Sequence, residues 1–179
     1  MPRPPLAALE ELNRFSNRIP LAELESWLHR TEVTIDDVQR FLRFDPGHYV
    51  RNLMYAGPSY QALVLCWHSG QRSPIHDHRG SSCAVKVMAG VATETTFARA
   101  ANGMIYATLS RQLAAGHTCA TQDADVHQIS NLQPDGNDLV SLHIYSPPLF
   151  RMNMYSLEEA KVRQFFDPVN EEFASGAGI

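Results

Sequence analysis

The chain is short of cysteine, of clustered positive charge and of long apolar runs, and each shortage removes a class of protein. Cysteine occurs three times in 179 residues, at Cys66, Cys83 and Cys119. An odd number with no paired spacing argues against a disulfide framework and for a reducing compartment, the cytoplasm by default. No stretch is apolar for long enough to span a bilayer, and the polar, proline-rich start Met1-Pro-Arg-Pro-Pro does not read as a secretory signal. Lysine and arginine total 15 against 19 acidic residues and form no basic stripe. Neither nucleic acid nor a membrane surface is therefore an expected partner. Internal repeats and low-complexity segments are absent as well. What remains is an ordinary globular composition with a mild net charge of −4, long enough for one domain with a real core.

Periodicity divides the chain in two. Leu6, Leu9, Leu12 and Phe15 follow Pro4-Pro5 at helical spacing. Pro20 opens a second helical stretch, with Leu21, Leu24, Trp27 and Leu28 on one stripe. Thr34 and Asp37 have capping-box spacing before Val38, Phe41 and Leu42. After Asp45-Pro-Gly the pattern turns to β. Gln61 to Trp67 is a buried-strand type of run, followed by Cys83–Met88 and Val91–Phe97, with Asn102-Gly103 marking a hairpin. Further strands are expected near 104–110, 117–121, 125–130, 139–145 and 151–156, with a last one within 160–166. Many short strands separated by turns indicate a sandwich or barrel. The expected layout is a helical segment over about 1–44, a β-barrel over about 45–168 and a loose tail over 169–179.

The chemistry concentrates in Gly70-Gln-Arg-Ser-Pro-Ile-His76-Asp-His78-Arg-Gly-Ser-Ser-Cys83, which runs on to Gly90. Side chains alternate faces along a strand, so His76 and His78 point one way and Asp77 the other. Two imidazoles on one face can seize a single transition metal. A third histidine stands in Asp125-Val-His127-Gln-Ile-Ser-Asn131. A second alternation, Ser141-x-His143-x-Tyr145, lines one strand face with a hydroxyl, an imidazole and a phenol, which can relay hydrogen bonds. Arg51 lies two residues from Tyr49; its planar fork suits a carboxylate. Ser141 and His143 lack a plausible acid partner, so a hydrolase triad is rejected. His29, His48, His68 and His117 read as incidental, and Cys66 and Cys119 as core or edge residues.

Gly-x5-His-x-His-x4-Glu-x6-Gly is the first motif of the cupin barrels, and Gly70 to Gly90 matches it except that Cys83 stands at the glutamate position. His127 to Asn131 fits the end of the second cupin motif, whose earlier Pro-x-Gly is replaced by Asp123-Ala-Asp125. Four blocks carry a closer likeness: Tyr49-Val-Arg51-Asn-Leu53, Leu65-Cys-Trp67, Ile75-His-Asp-His78 with Cys83, and Ser141-Leu-His143-Ile-Tyr145-Ser-Pro-Pro148. In these the chain resembles the cysteine dioxygenases, the iron-dependent thiol dioxygenase branch of the cupins. The resemblance implies a mainly β fold, a cupin (double-stranded β-helix, jelly-roll) barrel with an N-terminal helical segment. It implies that His76, His78 and His127 hold one Fe(II) per chain. It also implies that Arg51 binds the substrate carboxylate with help from Tyr49. Tyr145 would stand over the open iron face, held by His143 and Ser141, and Cys83 would be the cysteine that can become cross-linked to Tyr145. The implied partners are L-cysteine and O2 and the implied product cysteine sulfinic acid; separately, a monomer or weak homo-oligomer is expected.

Three other readings stay open. A sister dioxygenase acts on 3-mercaptopropionate; that branch typically has glutamine at the arginine position, so Arg51 favours cysteine. A cupin can also bind metal and a small ligand without catalysis, as a sensor or store; no DNA-reading helix-turn-helix accompanies the barrel. A cupin isomerase using another metal would leave the Ser-His-Tyr block without a role.

Overall fold

A computed structural model describes residues 5–123 and 125–172. The helices are α1 (Pro5–Leu9), α2 (Leu21–Arg30) and α3 (Ile35–Val38), with single 3-10 turns at Glu10–Arg14 and Gln39–Phe41. The strands are β1 (Val50–Ala56), β2 (Gln61–Trp67), β3 (Ile75–His76), β4 (Ser82–Ala89), β5 (Val91–Arg99) and β6 (Ile105–Ala114). They continue with β7 (Thr118–Gln122), β8 (His127–Ser130), β9 (Leu139–Ser146), β10 (Arg151–Tyr155) and β11 (Arg163–Phe166). One sheet has the order β1-β2-β9-β4-β7 and the other β11-β10-β3-β8-β5-β6. All the strand pairs are antiparallel. Sequence neighbours often sit in different sheets, as a double-stranded β-helix requires.

The central strands β2 and β9 of the five-stranded sheet are buried on both faces, which explains why Gln61–Trp67 reads as one continuous apolar run. Its alternate residues serve two cores. Ala62, Val64 and Cys66 pack outward against a cluster that includes Leu24, Trp27, Leu28 and Phe41, so the helices cover this face. Leu63, Leu65 and Trp67 point into the barrel, where they join Cys83, Val87, Leu139 and Tyr145. Strand β9 follows the same rule. Val140, Leu142 and Ile144 meet the helical side, while Tyr145 turns inward. The helices form where expected, although the first passes into a 3-10 turn after Leu9. The Asp37 carboxylate accepts from the Thr34 N–H at 2.8 Å and from its hydroxyl at 2.7 Å, starting α3.

Gly90 explains the end of the first motif. Its φ is +78°, and a Cβ there would lie 2.4 Å from the Asp138 carbonyl oxygen, so the turn into β5 admits only glycine. Two expectations need correction. Strand β3 ends at His76, so His78 lies beyond it, in an irregular stretch held by its N–H to the Asp123 carbonyl at 3.2 Å. The segment expected as a loose tail is docked at its start. Asn170 donates to the Arg51 carbonyl at 2.8 Å and accepts from the Leu53 N–H at 2.9 Å, and Val169 packs on the barrel core. The rest of that expectation, residues 173–179, lies outside the described residues, as do Pro4 and Ala124 of the segments singled out in the sequence.

Candidate metal and substrate site

The two sheets bring His76, His78 and His127 together from distant parts of the sequence. His76 sits opposite His127 in the β3–β8 register. One ligand nitrogen of each histidine lies within 4.8 Å of those of the others, and all three residues are buried. The Nε2 atoms of His78 and His127 are buried without any hydrogen-bond partner. Leaving such atoms unpaired is costly unless something else binds them. The opposite nitrogens are fully engaged. His76 Nδ1 is 2.9 Å from the Pro74 carbonyl and donates to it. His78 Nδ1 meets both Asp125 oxygens at 3.0 Å, and His127 Nδ1 meets Glu94 Oε1 at 3.0 Å. These acceptors fix the protons on Nδ1 and leave the Nε2 lone pairs facing one another, the tautomer a metal needs. The donor set therefore fits a transition metal. Among the described residues no carboxylate belongs to this cluster, so a metal here would have three imidazole ligands.

The anchors behind the histidines are themselves held. Burial would raise the Glu94 carboxyl, but bonds from His127 and Arg111 outweigh it and hold it below the usual range. Arg111 Nε donates to Glu94 at 2.7 Å from the solvent side. Asp125 behaves alike: burial raises it, and His78 and Thr121 pull it down further. Asp77 points away from the cluster, as expected. It accepts from Asn153 Nδ2 at 2.9 Å and from the Tyr155 hydroxyl at 2.8 Å, tying the His-Asp-His turn to β10. Glu94 and Asp125 were not recognised from sequence as histidine partners. A lone acid inside the strand Val91-Ala-Thr-Glu94-Thr-Thr was the available signal for Glu94. For Asp125 it was the loss of the cupin Pro-x-Gly.

Opposite the histidines, one face of β9 presents Ser141, His143 and Tyr145 in a chain. Trp67 Nε1 donates to Ser141 Oγ at 3.2 Å, and Ser141 Oγ lies 2.9 Å from His143 Nε2. His143 Nδ1 is 3.0 Å from the Tyr145 hydroxyl. An indole N–H only donates, so Ser141 accepts from it and keeps its own hydrogen and a second lone pair for His143 Nε2. The single proton of a neutral His143 can sit on either ring nitrogen, so the row forms a relay from Trp67 to the Tyr145 hydroxyl, which lies beside the Cys83 thiol. Burial, then Arg51, keeps His143 well below the ordinary histidine range, so it is neutral. Burial, then Cys83, pushes Tyr145 well up, so its proton stays on. Cys83 is the direct β4 partner of Tyr145 in register, and burial raises its thiol.

Arg51 reaches the same cavity from β1, at 2% exposure, with its guanidinium carbon 5.6 Å from the centre of the Tyr145 ring. It donates to the carbonyls of Asp167, at 2.8 Å, and Leu149, at 3.0 Å. Tyr49 lines the cavity but is not free: its ring stacks on Trp67 at 4.2 Å and its hydroxyl donates to the Asp167 carboxylate. Asp167 was not singled out in the sequence. The incidental histidines stay apart, His68 with Asp138 and His48 with Asp45. Cys66, Cys83 and Cys119 are free thiols. No helix among the described residues is long and apolar enough to cross a membrane.

Fold and cluster together define a double-stranded β-helix protein with a three-histidine site built for a metal ion. Solved structures share the fold. A protein from Thermus thermophilus superposes with a TM-score of 0.53 at 16% identity, covering 66% of this chain and 99% of its own. A Klebsiella pneumoniae protein described as having a double-stranded β-helix domain gives 0.52 at 18% identity, covering 66% and 87%. The cysteine dioxygenase type I family matches over residues 7–158. Cysteine dioxygenase type 1 of Homo sapiens is 32% identical over 152 residues, covering 72% of this chain and 74% of the human protein. That of Danio rerio is 30% identical over 140 residues, covering 74% and 68%. The chain belongs to the cysteine dioxygenase type I family.

Proposed function

We propose that this family member oxidises L-cysteine with O2 to cysteine sulfinic acid, using one Fe(II) held by His76, His78 and His127. The observation that carries the substrate assignment is a buried arginine on the same barrel interior as the three histidines. Ferrous iron would supply the electron-transfer steps that let dioxygen react with sulfur. Three neutral ligands leave the charge of a bound cation uncompensated by protein, which favours an anionic thiolate. Arg51 keeps N–H groups beyond the two given to backbone carbonyls, and these can pair with the substrate carboxylate. The Tyr145 hydroxyl, oriented by His143 and Ser141, offers its proton to the reacting oxygen and sulfur atoms. The apolar walls formed by Leu65, Val85, Ile129 and Met152 exclude bulk water.

The cross-strand pairing of Cys83 and Tyr145 supports a thioether between them. The bond would join Sγ to the ring carbon beside the phenol oxygen, with loss of the thiol and ring hydrogens to dioxygen as oxidant. Peptides joined after turnover and resistant to reduction are expected; only free Cys83 after many turnovers would contradict it.

The 3-mercaptopropionate reading is separated by measuring both thiols side by side. Wild type is expected to prefer cysteine. Arg51→Gln should lose roughly tenfold or more in kcat/KM for cysteine, since a neutral amide cannot replace a charged fork. Unchanged cysteine kinetics would remove Arg51 from substrate binding. Absence of any O2 uptake by iron-loaded protein with thiols would favour a non-catalytic cupin.

A further inference from the structure

Arg51 does not stand alone in the cavity. The Asp167 carboxylate lies 3.7 Å from its Nη1, and the side chain of Asp167 is only 10% exposed. That separation is too long for a hydrogen bond but short for two charges in a poorly hydrated site. The carboxylate is held by the Tyr49 hydroxyl instead. The Asp167 backbone is fixed separately, because its carbonyl accepts from Arg51 and Asn170 pairs with β1 on both sides. Asp167 also stands at a threshold. The small inner cavity, about 20 Å³, and a groove of about 400 Å³ outside it both touch Tyr49, Arg51 and Asp167. A thiol entering by that groove would pass this pair.

We propose that Asp167 is a specificity-determining counter-ion: it offsets the charge of Arg51 without occupying its remaining N–H donors, and so sets how strongly the site prefers thiols that carry a carboxylate. The inference rests on the thiol dioxygenase reading above. An arginine of unopposed charge would bind any small carboxylate tightly. With Asp167 beside it, a carboxylate gains most when it can use the open donors of the fork. The same acid repels an extra negative charge and attracts an ammonium. The proposal therefore fixes the sign of a charge test, which a purely structural role would not. Burial holds the Asp167 carboxyl above its ordinary range, and Arg51, then the Tyr49 hydroxyl, draw it only part of the way back.

The test is anaerobic calorimetry on iron-loaded protein with three probes: 3-mercaptopropionate, cysteine and cysteamine, which has the thiol and amine but no carboxylate. Asp167→Asn keeps the size of the side chain and an acceptor for Tyr49. It should tighten 3-mercaptopropionate by about tenfold, tighten cysteine less, and weaken cysteamine. Asp167→Glu should return the ratios toward wild type. If the asparagine variant does not fold, Asp167→Ser reads the same ratios. Equal changes for the three probes, or none, would overturn the counter-ion role. A wild type that binds none of the thiols would instead overturn the parent reading, so the two failures are distinguishable.

Discussion

The two sheets build the site by different physical means. The five-stranded sheet, covered by helices outside and packed on the barrel interior, carries Arg51, Cys83, Ser141, His143 and Tyr145. Ser141, His143 and Tyr145 are hydrogen-bonded in a row with Trp67, all uncharged side chains, and burial holds His143 and Tyr145 neutral. The six-stranded sheet carries His76 and His127, with His78 just past β3, and its β6 is largely exposed. Here the imidazoles are oriented by a carbonyl and by two carboxylates, one of which is reached by an arginine from solvent. The doubly buried strands position their groups with hydrogen bonds to neutral side chains and backbone carbonyls. A sheet with a wet face positions them with charge, because Glu94 can be neutralised by Arg111 at the boundary. The metal half and the substrate half should therefore respond to different perturbations.

The largest effect should come from removing a ligand. His127→Ala is expected to lose most of the bound iron and nearly all turnover while the barrel remains folded. Metal analysis that finds a full iron complement in this variant would contradict the assignment.

Next comes the helical cover. Leu24 is fully buried against the outer face of the five-stranded sheet. Leu24→Ala should cost about 2–5 kcal/mol in denaturant unfolding. Leu109→Ala, on the 54% exposed face of β6, should stay within about 0.5 kcal/mol. Similar losses at the two positions would break the contrast between the sheets.

A smaller change should follow Glu94→Gln. The neutral amide leaves Arg111 without its ion pair and weakens the acceptor behind His127. Chelator competition should show roughly 10–100-fold weaker iron binding. Unaltered affinity would mean that the Glu94 charge does not orient His127 and that a neutral acceptor suffices, as on the other sheet.

Sequence reading and structure agree best where period-two alternation carries the chemistry. Ser141, His143 and Tyr145 share one face of one strand, and the interior of β9 is therefore visible in a string of residues. The His-x-His pair was legible too, although His78 converges from outside the strand. What stayed hidden is what other segments supply. Glu94, Asp125 and Asp167 meet their partners across separations of 33, 47 and 118 residues. No local spacing encodes those contacts. The docked start of the tail was hidden for the same reason: Val169 and Asn170 are ordered by β1, not by their own propensity.

The central claim is that a metal half and a carboxylate-binding half cooperate to put both atoms of dioxygen on one sulfur. Its most direct test loads the protein with Fe(II) anaerobically, then adds cysteine and doubly heavy-labelled dioxygen and follows the product by mass spectrometry. The account predicts one sulfinate formed per dioxygen consumed, carrying both heavy oxygens. A sulfinate that takes either oxygen from water, or dioxygen consumption without sulfinate, would contradict it.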